Sequence, residues 1–519
     1  MPMRVLAGLL LCVLGVTPLL AADCLQFGYN PGHTNYTQET LTFPLSLEWK
    51  FAQPPEPSRT SPVVAEALVF WTTGAYIFGI DQESGAATWA LKATAEVNGS
   101  PCYYDGKVIV GTDDGQLLAL RSGDGQVAWT ARVGWAARTA LALVDGTVYC
   151  ATRDNKVVSV DAATGSINWT TIVKDAVSAP VVVAGGYVFA PAMDSNLYGL
   201  DAASGQIRWS YRAPTRMGLT LPPVAGERHV YLAAESALVA VGLRGMPAWR
   251  VDFKDKLPVG PSYANGLVYQ PGPDGVIYAF DADSGKLRWQ RKAMFMSCSV
   301  AIAGPLLITA SNSGLVRAYD AKTGEAVWEY HTWHPLLVKE KARGEDYVPL
   351  LPPVVAGGNL YITTAAGELF KLSPSASDLA PPEAFSLQPE EGKPASGRFP
   401  LKVGARVFDE GSGIDTKSLT LSLDGELLPA EYRTVGSELY FYKNTPAGAA
   451  LADGWHTVEL HARDLRGNEM VKTWQFYSDQ KYAPTAPPKP AGSQEPGIAP
   501  GAPPEPERGG GIGFGRGRN

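Results

Sequence analysis

Two histidines, His331 and His334, lie in the segment HTWHPLLVKEKARGEDYVPL, residues 331–350, and paired imidazoles are ligands that zinc sites use. No Cys or carboxylate stands at a fixed metal-site spacing from them, so the segment reads as a loop. Its remaining residues suit protein contact better. Trp333 and Tyr347 offer aromatic anchors, and His334 and Arg343, with Lys339 and Lys341, add polar and cationic groups. Trp333, His334, Arg343 and Tyr347 are therefore the candidate partner contacts. Asp161, Asp201, Asp281 and Asp320 are formal candidates for paired-carboxylate catalysis, which needs two carboxyl groups within about 10 Å. They recur at intervals near 40 or 80 residues, each opening the same short turn, so they fall in different structural units and read as turn residues. Asp409, Glu410 and Asp415, in DEGSGID, have the chemistry for calcium, but turn hydrogen bonding is the preferred reading. No catalytic, cofactor-binding or metal-ligating residue is assigned.

The elements that position these residues follow from one repeat. Trp49, Trp89, Trp129, Trp169, Trp209, Trp249, Trp289 and Trp328 are spaced by 40 residues, the last by 39. Most end a nine-residue motif: DAATGSINW from Asp161, DAASGQIRW from Asp201, DADSGKLRW from Asp281. In one unit, ALALV, TVYCA, KVVSV and SINWT (residues 140–170) give four short strand signals separated by polar turns. Such a period with four strands describes a propeller blade. Asp accepts hydrogen bonds at the turn, Gly supplies positive φ, and Trp fills the gap between neighbouring blades. Blade two has Arg121 in place of Asp, and VGLRGMPAW from Val241 keeps only Gly245 and Trp249. The last unit, GELFKLSPSAS, lacks the Gly and Trp. LSLEWKF around Trp49 supplies the missing strand, and closure removes exposed sheet edges. The expected fold class is all-β: an eight-bladed β-propeller closed by the N-terminal strand, followed by an immunoglobulin-like β-sandwich.

AFDADSGKLRW and AYDAKTGEAVW resemble the tryptophan-docking motif of pyrroloquinoline quinone (PQQ)-like propellers, and QFGYNPGHTNY (26–36) resembles the lead-in of many such propellers. The resemblance covers about residues 24–376. It implies one of two branches: the quinoprotein dehydrogenases, which oxidise alcohols or sugars with PQQ and calcium, or the non-enzymatic, BamB-like branch of outer-membrane protein assembly. Alcohol-oxidising quinoproteins typically carry a disulfide between adjacent Cys residues, and this chain has no adjacent Cys pair. The short, near-minimal units also leave few long loops for a cofactor pocket. No cofactor is therefore expected; PQQ and calcium enter only with the dehydrogenase reading. DEGSGIDTKSLTLSLDG and LADGWHTVELHARDLRGN resemble bacterial immunoglobulin-like domains.

MPMRVLAGLLLCVLGVTPLLAA reads as a signal peptide, residues 1–22, which places the mature chain in the periplasm or outside the cell. Asp23 directly before Cys24 argues against a lipid anchor. Cys24, Cys102, Cys150 and Cys298 allow three disulfide pairings or none. The ring spans 23–376, a linker 377–384, the sandwich 385–479, and a Pro- and Gly-rich disordered tail 480–519. A net charge of −7 with no basic field excludes nucleic acid as a partner, and no other stretch is apolar enough to cross a bilayer. The first functional reading is a non-enzymatic scaffold that binds protein or envelope polymer. The alternatives are a PQQ-dependent alcohol or sugar dehydrogenase and a carbohydrate-binding module.

Overall fold

Apolar runs such as Lys156–Asp161 (KVVSVD) form strands whose four central residues are buried, because such strands are covered on both faces. The computed structural model describes residues 23–52, 56–293, 296–311, 313–332, 351–397, 401–433, 438–443 and 450–482, and no helix occurs among them. Residues 1–22, read as signal peptide, and 483–519 of the tail read as 480–519 lie outside the described residues; Gln480, in the stretch read as disordered, is held by Asp453 Oδ1 and Leu451 O.

Among the described residues, eight antiparallel meander sheets follow one another along the chain, the seventh extended by the short parallel strand Tyr36–Thr37. Sheets 1 to 7 begin at residues 63, 102, 142, 182, 224, 262 and 301. Sheet 8 takes three strands from residues 354–373 and its outermost strand, Ser46–Phe51, from the other end of the chain. Each neighbouring pair of sheets shares one apolar cluster. Cys102, Ile109, Val148 and Val158 join sheets 2 and 3. Val69, Trp71, Tyr361 and Leu369 join sheet 8 back to sheet 1, so the packing runs round a closed ring.

The outer strands behave differently. Ile167–Ile172 alternates exposed and half-buried positions, with Trp169 at an inward one. Its pairing register slips just before the indole: Ser159 opposes Trp169 while Val160 opposes Ile167, leaving Asn168 as the extra residue. The same slip occurs beside Trp49, Trp89, Trp129, Trp209, Trp249, Trp289 and Trp328. A bulge re-aims a side chain, and here it aims one indole per sheet at the next sheet.

What the indole meets explains the motif. A Cβ added to Gly205 would stand 2.6 Å from the Trp169 ring, and Gly85, Gly125, Gly165, Gly245 and Gly285 meet the preceding sheet's indole in the same way. Gly thus serves both the positive φ of the turn and the stacking of the ring. Trp169 Nε1 then donates to Ala202 O at 3.0 Å; Trp49, Trp89, Trp129 and Trp249 make the equivalent bond 33 residues ahead. Trp209, which faces the degraded VGLRG turn, leaves Nε1 without a partner, as do Trp289 and Trp328. Trp328 stacks instead on Phe43, at 5.3 Å between ring centroids.

Residues 383–478 form two sheets over a common core of Leu401, Val403, Leu421, Val458, Leu460, Trp474 and Phe476. The first strand, Glu383–Gln388, starts inside the stretch read as linker, because Glu383 and Ala384 pair with Phe408 and Val407. The connecting segment is pinned rather than free: the Arg466 guanidinium donates to Pro374 O, Ala376 O and Ser46 Oγ.

Two glycines separate the costs of backbone strain and of indole contact. Gly106 has φ +72° and nothing within 4 Å of an added Cβ, whereas Gly205 has φ +71° and the Trp169 ring. Gly106→Ala should cost about 1–2 kcal/mol. Gly205→Ala adds an overpacking penalty and should cost about 3 kcal/mol or more, measured by urea unfolding. Equal losses would remove the indole from its structural role.

Candidate functional site

The axis of the ring is occupied by the chain itself. In CLQFGYNPGHTNYT, residues 24–37, glycine and turn residues let the backbone coil: Gly28, Tyr29, His33 and Asn35 all have positive φ. Each turn of this coil presents a polar group to a different inner strand. Cys24 exchanges two backbone bonds with Val64, and Tyr103 N donates to Leu25 O. The Gln26 amide donates to Leu143 O at 3.1 Å and accepts from Leu143 N at 2.8 Å. Val183 N, Ala225 N, Tyr263 N and Ile302 N donate to the carbonyls of Pro31, Gly32, Thr34 and Asn35. Tyr29 Oη accepts from Val355 N. All eight sheets are thereby tied to one segment. Gly32 is required by proximity, since a Cβ there would lie 2.3 Å from Ala225 O.

His33 sits wholly inside this plug. Its Nε2 donates to Leu141 O at 3.3 Å, Nδ1 has no partner, and burial holds the imidazole down at about 4. A small molecule on the axis at this level would have to displace these bonds.

The ring face opposite the turns of the motif carries the crossings between sheets and the turns between second and third strands. Trp135 lies there, 62% exposed, beside Arg138 and Arg153. Arg138, Arg153, Thr139, Val177 and Ser178 line a shallow recess of about 210 Å³. Trp135 is held by its backbone: its N–H donates to Asp154 Oδ1 at 2.9 Å. Asp154 is held down at about 2; hydrogen bonds from Lys156, Thr152 and the Trp135 amide outweigh its burial. Arg138 pairs with Asp113. On the same face, two crossings further on, Met217 is 57% exposed. The surface presents an exposed indole whose backbone is bonded to Arg153 N and Asp154, a residue type that protein interfaces use as an anchor.

Of the partner contacts read from the sequence, Trp333, His334, Arg343 and Tyr347 lie outside the described residues. His331 ends the outer strand Ala326–His331; burial, then the Arg317 charge, holds it at about 4. The repeat aspartates stand in separate sheets and act in their own turns. Ser204 donates its hydroxyl and amide to Asp201 Oδ1 and, with Arg208, holds that carboxylate at about 2. Cys24, Cys102, Cys150 and Cys298 are free and buried, which pushes every thiol well above its ordinary range. Asp409, Glu410 and Asp415 do not converge: Asp409 holds the amides of Ser412 and Gly413, and Asp415 holds that of Lys417. Trp135 stands off the 40-residue series, at a position where other crossings have Ala95, Asp175, Thr215, Asp255 and Phe295.

A family model described as outer membrane protein assembly factor BamB matches residues 46–140, 131–245 and 234–380. The outer membrane protein assembly factor BamB of Francisella salina is 32% identical over 119 residues, 23% of this chain and 20% of that protein. That of Bordetella pertussis is 27% identical over 124 residues, 23% of this chain and 32% of that protein. The quinoprotein alcohol dehydrogenase PedH of Pseudomonas putida is 34% identical over 102 residues, 19% of this chain and 16% of that protein. The chain thus matches less than two thirds of the length of each. Among solved structures, BamB from Moraxella catarrhalis superposes with a TM-score of 0.52 at 15% identity, over 63% of this chain and 99% of that one. A europium-containing methanol dehydrogenase gives 0.55 at 13%, over 68% and 98%. At these identities the superpositions establish the all-β propeller fold alone.

Gln26→Ala should destabilise the ring by about 2–3 kcal/mol in urea unfolding, because it orphans the buried N–H and C=O of Leu143. His33 supplies a pH signature. The unfolded chain takes up its proton near 6.5 and the folded chain only near 4, so stability is lost as pH falls through that window. His33→Gln should flatten the pH dependence of the melting temperature between 6.5 and 4 relative to wild type; an unchanged slope would place His33 in solvent.

Proposed function

The chain belongs to the outer membrane protein assembly factor BamB family, and on that premise we propose that it is a non-enzymatic binding scaffold of the cell envelope. In this reading it is exported to the periplasm and takes part in outer-membrane protein assembly by holding a protein partner on the crossing face. The observation that carries the reading is Trp135, a large indole left 62% exposed on a rigid loop at a position where neighbouring repeats have small or polar residues. An exposed aromatic flanked by Arg138 and Arg153 is the composition of an interface anchor. The plug supports the same reading, because it commits the ring axis to the chain's own backbone and leaves the loops as the variable surface. Among the described residues no helix is long and apolar enough to cross a membrane.

A second reading, a PQQ-dependent dehydrogenase, is favoured by the 102-residue similarity to a quinoprotein alcohol dehydrogenase. Protein incubated with PQQ and calcium, then assayed with alcohols and an artificial electron acceptor, tests it directly; turnover would replace the scaffold reading.

Site-specific photo-crosslinking in intact cells tests the first reading. A photoreactive residue at position 135 should capture an outer-membrane assembly protein. The same residue at Ile172, 69% exposed on an outer strand, should not. Trp135→Ala should weaken that capture by roughly 30-fold, the loss of a ~2 kcal/mol hot spot. Equal capture from both positions, or none from 135, would overturn the assignment of the face.

A further inference from the structure

Three carboxylates from distant parts of the chain meet where the ring joins the sandwich. Asp378 lies in the connecting segment, Asp409 follows the strand Leu401–Phe408, and Asp464 follows Gly454–Arg463. One ligand oxygen from each lies within 4.8 Å of the other two. That separation is the diameter of a calcium coordination sphere at about 2.4 Å per bond.

The charges at this place are not balanced by protein. Asp409 and Asp464 are 5% and 2% exposed. Among the described residues no Lys, Arg or His forms an ion pair with any of the three. Arg466, which is close in sequence to Asp464, spends its guanidinium on Ser46 Oγ, Pro374 O and Ala376 O. The donors that do reach the carboxylates are neutral: the amides of Ala380, Ser412, Gly413, Arg466 and Asn468, and the Asn468 side chain.

Two further polar groups are left without partners. Asp378 Oδ2 is buried and accepts no hydrogen bond, although its carboxylate is pressed within 2.3 Å of where a Cβ on Gly411 would stand. Ser412, wholly buried in the turn around Asp409, also leaves its Oγ unpartnered. A buried anionic oxygen with no donor is costly unless a cation reaches it. Oxygen-only donors that include three carboxylates suit a hard divalent ion.

We propose that Asp378, Asp409 and Asp464 bind one calcium ion that fastens the connecting segment and the sandwich to the ring. The same junction already holds Leu47 N to Gly411 O and Tyr330 Oη to Glu410 O, both at 2.8 Å, so an ion there stiffens an existing contact.

The test uses the full chain, stripped with EDTA and titrated with calcium chloride by calorimetry, with melting followed in parallel. One ion per chain should bind in the ~0.1–1 mM range of extracellular modules, and saturation should raise the melting temperature. Asp378→Asn is the informative variant, because Asp378 carries a single amide while Asp409 and Asp464 support their own turns. It should weaken calcium binding by at least about tenfold without lowering the melting temperature in EDTA, where removing an uncompensated charge can only raise it. Glu410→Gln, an exposed neighbour, should bind calcium like wild type. No heat and no melting shift at about 5 mM calcium would overturn the site. So would unchanged affinity in Asp378→Asn, or a loss in Glu410→Gln as large as in Asp378→Asn.

Discussion

The ring depends on an indole lying flat on a glycine of the next sheet. The outer strands of sheets 1 to 6 are mostly exposed, so they contribute little apolar burial of their own. What fixes their distance from the neighbour is the Trp ring, which needs a bulge to aim it, a glycine to receive it and a carbonyl to accept its Nε1–H. These need not fail together, although at Trp289 two do: its Nε1 has no acceptor, and a Cβ on Gly324 would meet Arg291 first. Trp209 has lost its acceptor at the altered turn yet still stacks on Gly245. Stacking area therefore outranks the hydrogen bond, consistent with the small net worth of one exchanged with water.

The axial segment adds a constraint of another kind. Neighbour-to-neighbour packing alone would let small errors in sheet rotation accumulate round a ring. A single segment that bonds to every inner strand sets all eight against a common reference. It also explains why the N-terminal region contributes twice: residues 24–37 at the axis and Ser46–Phe51 at the rim, one fixing the centre and the other the seam.

Much of this was legible because it repeats. A 40-residue period exposes every strand, turn glycine and indole eight times over, and local propensity agrees with the pattern. The bulge before each Trp was not legible, since the extra residue leaves no mark on composition. Nor were the partners of QFGYNPGHTNY. The resemblance marked it as a lead-in, but its bonds reach inner strands from Leu143 to Val355, each through a different atom. Trp135 was visible only as an exception to the series. The acids Asp378, Asp409 and Asp464 gave no spacing signal, because the sandwich topology, not the sequence interval, brings them together. Of Asp409, Glu410 and Asp415 in DEGSGID, only Asp409 belongs to that cluster.

The sandwich is joined to the ring by polar groups on the ring's seam. Arg466 reaches Ser46, the first residue of the closing strand, and Leu47 N donates to Gly411 O. Leu465 packs against the cluster that joins sheets 7 and 8. The second domain thus grips the place where the two chain ends of the ring meet, which is where a ring closed by one antiparallel pairing is weakest. An appended domain placed there locks the closure as well as extending the molecule. The crossing face with Trp135 belongs to sheets 2 and 3, away from this junction between sheets 7 and 8.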